Sequence, residues 1–251
     1  MLSAPANAEL IYVTANSVYT QNFNSLPTSV ANNPWVNDTT LDGWYSTSGT
    51  INASSGTGAQ RTLYSFGADF ASDRALGVVS QGASSDALFG LAIRNESGNI
   101  LDSFTVRFDG EQWRRSTTNI GAAQTLMFGY RTSTTLGAIA SAAYTNVSSL
   151  GFTSPGFSLP GGATDGNDSA NRTSNITGTI NGLTWRPGEY LWLSWQGQDN
   201  GMGSRHGLGI DNFSFSANSS ITAVPEPSSL ILVSAVGWLA FRYRKRFKLS
   251  A

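Results

Sequence analysis

The sequence predicts an all-β fold: a two-sheet β-sandwich of jelly-roll type that fills most of the chain, followed by one C-terminal membrane helix. Three observations carry this. Short runs rich in Val, Ile, Phe, Tyr, Trp and Thr recur from residue 10 to residue 215, separated by clusters of Gly, Asn, Ser and Pro that read as turns. No stretch before residue 228 places apolar residues at helical spacing. No segment repeats at a fixed period, which argues against a propeller or a solenoid. About ten to twelve short strands in one body bury their apolar faces best as two packed sheets.

Residues 10–14 open the series, and 61–66, 75–79 and 87–93 continue it, each β-branched or aromatic. Residues 95–99 form a turn by their Gly and Asn content. In 100–108, Phe104, Val106 and Phe108 point one way and Thr105 and Arg107 the other. Residues 125–130, 144–147 and 174–180 follow. In 189–195, Leu191, Leu193 and Trp195 share one face and Tyr190, Trp192 and Ser194 the other. Both faces are apolar or aromatic, as in a central strand. Residues 208–215 close the body.

Composition narrows the function classes. Cysteine is absent, so disulfides and thiolate metal sites are unavailable. Residues 1–224 carry 10 arginines against 15 acids, a net charge of −5, and both lysines lie later. No basic footprint for nucleic acid exists. Ser, Thr, Asn and Gly in place of charge give the surface of an extracellular β-protein.

The candidates for chemistry are few. His206 is the only histidine, and no Gly-x-Ser-x-Gly frames a serine, so the expectation is a structural histidine rather than a triad. Asp165, Asn167 and Asp168 form a short oxygen-rich loop of the kind that suits calcium, or an Asx-turn that bonds its own backbone. Glu111 and Glu189 are the acids that strands could bring together for glycoside hydrolysis. Trp192, Tyr190 and Trp113 would form a flat platform for sugar rings if exposed, and core if not.

The two ends speak of location. Ala6 and Ala8 have the small-x-small spacing of a signal-peptide cleavage site, so residues 1–8 read as the end of a signal peptide cut after Ala8. Residues 9–217 are then the β-sandwich, and 218–227 a polar linker in which Pro225 and Pro227 discourage helix. Residues 228–241 are uncharged and apolar on every side. As a helix they would span roughly 21 Å at about 1.5 Å per residue, short of a bilayer core of roughly 30 Å. The flanking Arg242, Arg244, Lys245, Arg246 and Lys248 can reach back to the headgroups and hold residues 242–251 in the cytoplasm.

Pro225, Glu226 and Pro227, then an apolar segment, then an arginine cluster at the chain end resemble a PEP-CTERM sorting signal. The resemblance covers about 28 residues. It implies an exported bacterial protein held in the inner membrane by its C-terminal helix. An exosortase-type enzyme would recognise Pro225, Glu226 and Pro227 and process it toward the cell surface or an exopolysaccharide matrix. A second resemblance rests on residues 111–114, 185–188, 191–195 and 206–215. These are similar to a β-sandwich domain common in such exported proteins, and it implies fold rather than activity. Residues 209–215 also resemble the last strand of carbohydrate-binding jelly rolls, which implies that Asp211 helps hold a structural calcium. Together these lead to an expectation of a non-enzymatic surface or matrix protein that binds glycans or other envelope partners. The alternatives are a secreted polysaccharide hydrolase and a biofilm protein with no ligand.

Overall fold

The structure is a computed structural model. It describes residues 11–12, 17–29, 32–79, 87–117, 122–158, 160–198 and 205–219. All of these residues belong to one compact unit. The expected cleavage site after Ala8, the Pro225–Glu226–Pro227 motif, the helix over 228–241 and the basic cluster from Arg242 lie outside the described residues.

The described residues are all strand and turn, apart from one 3₁₀ turn at Ser148–Leu150. The strands are numbered in chain order and form two sheets. Sheet A contains β1 (Ile11–Tyr12), β4 (Trp44–Ser46), β8 (Leu88–Asn95), β10 (Thr125–Ser133), β11 (Thr145–Asn146), β12 (Phe152–Thr153) and β15 (Tyr190–Gln198). Its order is β1-β8-β15-β10-β11, with β4 beside β8 and β12 beside β10. Sheet B contains β2 (Val18–Gln21), β3 (Asn32–Pro34), β5 (Thr50–Ser54), β6 (Thr62–Phe66), β7 (Ala75–Val79), β9 (Leu101–Arg115), β13 (Gly162–Ala163), β14 (Arg172–Trp185) and β16 (Gly207–Asn218). Its order is β13-β9-β16-β7-β6-β5-β3, with β14 pairing β9 and β2 pairing β16. All pairs are antiparallel except β1–β8 and β5–β6.

The core lies between the sheets. Alternation puts Leu191, Leu193 and Trp195 of β15, Phe89, Leu91 and Ile93 of β8, and Phe104, Val106 and Phe108 of β9 into one apolar cluster. Trp195 is its hub. Its ring stacks on Trp44 and Phe89 and meets the edges of Phe108, Phe128 and Phe213, with centroids 5.3–5.8 Å apart. Two smaller clusters lie on the far faces. Tyr45, Leu88, Ala92, Ile139 and Trp192 gather on the outside of sheet A. Tyr64, Phe66, Ala75, Val79 and Trp113 do so on the outside of sheet B.

β16 carries a parity switch. Leu208 and Ile210 enter the core, and so do Phe213, Phe215 and Ala217. An even set cannot become an odd set on a regular strand. The pairing with β9 therefore slips between Asp211 and Ser214, and Asn212 takes a φ of 49°. β14 slips opposite it, between Thr173 and Ile176, with Asn175 at a φ of 61°.

Every strand expected from the sequence is present. Several run further: β9 continues past Phe108 to Arg115, and β14 spans Arg172–Trp185. The short strands β2, β3, β4 and β5 were not anticipated, because three to five residues with Asn, Pro and Ser give little alternation to read.

Candidate binding faces and a buried acidic cluster

Outside the core, the described residues include two polar grooves on the sheet faces and a buried charge cluster. The first groove lies on the outer face of sheet A. Alternation turns Ser194 and Gln196 of β15 outward. In register beside Ser194 sit Gly90 of β8 and Gly129 of β10, so this row has almost no side chain. Leu88 and Met127 flank Gln196 in the next row. The result is a trough of about 450 Å³, walled by Ala140, Ala142, Ala143, Tyr144 and Asn146 and continued by Gln198. Its lining is amide, hydroxyl, methyl and one aromatic ring, with no charge.

The wall is anchored. Arg131 of β10 lies between two rings, 5.2 Å from the Tyr144 centroid and 5.0 Å from that of Trp192. It also donates to the Ala138 carbonyl at 3.1 Å. Tyr144 donates its hydroxyl to the Ile139 carbonyl at 2.7 Å. Trp192 donates its indole N–H to the Leu136 carbonyl at 3.0 Å. The segment 134–144 is thereby fastened over one half of the face and leaves the other half open.

This corrects the expected platform. Trp192 is fully buried beneath that segment, Trp113 is 2% exposed, and Tyr190 is half-buried against Trp192 and Arg94. An outward-facing aromatic on a central strand was covered by a loop that strand alternation does not reveal. Among the described residues, the exposed phenylalanines are Phe70 and Phe157, 82% and 42% exposed, both outside the strands.

The charge cluster lies on the outer face of sheet B. Asp109 and Glu111 of β9, Asp211 of β16 and Arg172 of β14 meet there. Asp109 is the pin of the two opposed bulges. It accepts from the Asn175 backbone N–H at 2.7 Å, from Asn212 Nδ2 at 3.0 Å and from Arg172. Burial opposes its ionisation, but the Asn175 amide, Arg172 and Asn212 together hold its carboxyl below the usual range. Glu111 and Asp211 fare differently. Glu111 Oε2 accepts the Trp113 indole N–H at 2.9 Å, while Oε1 has no hydrogen bond and lies 3.6 Å from Arg172. Asp211 Oδ1 likewise has no partner. Burial pushes Glu111 up to about 8 and Asp211 up to about 7. The shift favours the neutral carboxyl in both, which lessens the cost of burying two anions beside one guanidinium.

The residues singled out for calcium make hydrogen bonds within the protein. The Asp165 and Asp168 side chains accept backbone N–H groups of Asn167 and Ala170, the Asx-turn arrangement. Asn167 donates to Asp73 at 2.8 Å. Asp211 lies near the charges of Asp73, Arg172 and Asp109. Among the described residues no group of three or more His, Asp or Glu could hold a metal. Glu189 does not join Glu111: it lies in the turn before β15 of the other sheet and binds the Arg186 backbone N–H at 2.9 Å.

His206 is structural. Its Nδ1 accepts the Ser116 backbone N–H at 3.2 Å, so Nε2 carries the proton and donates to the Ala122 carbonyl at 3.2 Å. The imidazole is 1% exposed, and burial lowers its pKa.

The second groove, about 380 Å³, lies lower on the outer face of sheet B, where β7 gives way to β2 along β16. Thr20, Gln21, Asn22, Arg107, Asn212 and Ser214 line it.

No protein-family model and no curated protein sequence matches this chain. Among solved structures, it is similar to one titled CBM4 structure and function, at 14% identity and a TM-score of 0.34 over 70% of this chain and 95% of that one. It is also similar to TmCBM61 in complex with β-1,4-galactotriose, at 7% identity and a TM-score of 0.29 over 59% and 72%. A Bacillus thuringiensis Cry1Da tryptic core variant matches at 14% identity and a TM-score of 0.31 over 63% and 21%. Similarities of this size carry nothing about ligand or activity.

Proposed function

We propose that this chain is a non-enzymatic glycan-binding module and that the sheet A groove holds a neutral oligosaccharide segment. The carrying observation is the trough itself. Its base is the outward row of β15, Ser194 and Gln196, with Leu88 and Met127 in register beside Gln196. Ser194, Gln196, Gln198 and Asn146 offer hydroxyl and amide groups, and Tyr144 offers a ring. Sugars are recognised by such groups, and about 450 Å³ is within the usual range for small-ligand sites. Neither groove contains a carboxylate, so neither has the two acids that glycoside hydrolysis needs. The C-terminal signal supports the further reading that the module is exported, held by its membrane helix and processed by an exosortase-type enzyme near Pro225–Glu226–Pro227. A glycan-rich envelope or matrix would then be its setting.

The test is a glycan array probed with the purified full chain and with Gln196→Ala. Binding to neutral oligosaccharides that the variant loses supports the groove. Binding that the variant retains moves the site elsewhere. A second reading has one observation in its favour. All six tryptophans up to residue 217 are buried, as in a matrix protein with no ligand, and an array without signal would favour it.

A further inference from the structure

We propose that the outer face of sheet B is a second binding site, which takes the carboxylate of an acidic sugar on Arg107. It lies on the other sheet from the groove above and stands independently of that reading.

The face is built in register. Across β14, β9, β16 and β2, Thr177 lies beside Arg107, Arg107 beside Ser214, and Ser214 beside Thr20. Their neighbours Ile176, Val106, Phe213 and Tyr19 turn inward, so these four turn outward. The next row is Thr179, Thr105 and Ser216, with the two threonine hydroxyls 2.8 Å apart. Arg107 is thus one cation set in a sheet of hydroxyls. Its side chain is exposed and lines the 380 Å³ groove with Thr20, Asn22, Asn212 and Ser214.

The guanidinium is aimed but not spent. Arg107 Nε donates to Asn175 Oδ1 at 2.6 Å. Asn175 is fixed in turn by its left-handed backbone and by its N–H to Asp109. Left-handed conformation in a non-glycine residue costs energy, and here it fixes the orientation of the arginine fork. None of the ion pairs among the described residues uses Arg107. The nearest carboxylate on its own strand face, Asp109, is already paired with Arg172. Two guanidinium nitrogens remain for a bidentate carboxylate. Asn22 Oδ1 accepts the Asn24 N–H, so its amide NH₂ is a further donor at the same groove. An anionic group alone would need only the arginine. The Thr20 and Ser214 hydroxyls and the Asn22 and Asn212 amides that line the same groove match a ligand that is itself polyhydroxylated, which is a uronic acid residue rather than a bare carboxylate.

The experiment titrates the full chain with trigalacturonate, with its carboxyl-reduced neutral counterpart and with succinate. The wild type should prefer trigalacturonate over both. Arg107→Gln should weaken trigalacturonate by about tenfold or more, the size of a charge-assisted pair. Arg107→Lys should fall between, since it keeps the charge but loses the fork. Asn175→Gly, which keeps the backbone conformation and removes the orienting oxygen, should also weaken it. The proposal is overturned if Arg107→Gln, with an unchanged melting temperature, binds within about twofold of wild type. It is overturned too if the wild type binds the reduced sugar or succinate as tightly.

Discussion

At the scale of single residues, the informative groups are the buried titratable ones. Glu111 is raised from 4.5 to about 8 and Asp211 from 3.8 to about 7. Between the ordinary and the folded values, the folded chain holds protons that the unfolded chain has released. The stability linked to them is fully present below the ordinary values and is lost as pH rises through 7 and 8. His206 has the opposite sign: its pKa is lowered, so its share is present above the ordinary value of 6.5 and is lost as pH falls. Urea midpoints should therefore decline from pH 6 to pH 9. In Glu111→Gln, whose amide oxygen can still accept from Trp113, that alkaline decline should be clearly smaller. An unchanged slope in the variant would show that Glu111 is ionised throughout. Asp109→Asn should cost about 3 kcal/mol, because it breaks a buried ion pair with Arg172 and leaves one acceptor oxygen for the two bulge contacts. Chemical denaturation measures this directly.

At the scale of elements, strands with regular alternation were legible and interruptions were partly so. The inward set of β15, Leu191, Leu193 and Trp195, follows from alternation alone. The slip in β16 also leaves a trace, since Leu208 and Ile210 stand out of phase with Phe213 and Phe215. The cover over Trp192 leaves none. It depends on segment 134–144, whose alanines, glycine and threonines carry little pattern, and on an arginine held between two rings. Two element-level outcomes follow. Arg131→Ala should loosen the wall of the sheet A groove and reduce ligand binding more than stability, because its contacts fasten Tyr144 and Ala138 rather than the core. Titration and thermal melting, read together, separate the two effects. Trp195→Ala should cost about 3–5 kcal/mol, the usual range for emptying an aromatic core site. Trp195→Phe should cost much less, because the indole N–H has no partner to lose.

At the scale of the whole molecule, two sheets enclose one aromatic core, and the chemistry lies on their outer faces. The all-β class was legible because strand runs and turn clusters alternate over some two hundred residues. The binding faces were not. They depend on which strands become neighbours, such as Thr177, Arg107, Ser214 and Thr20 across four strands far apart in sequence. They also depend on which outward rows loops leave open. Asp211 was singled out in sequence as a metal ligand. Its true setting, beside Glu111 and an arginine from β14, required the fold. The central claim is that the sheet A trough lined by Ser194, Gln196, Gln198 and Asn146 binds a sugar. Gln196→Ala tests it most directly, because Gln196 turns outward between Leu88 and Met127 and its amide lines the trough. The measurement is titration of the full chain and this variant with whichever neutral oligosaccharide the array identifies. Loss of binding with a cooperative unfolding transition retained is the predicted result, and undiminished binding would contradict it.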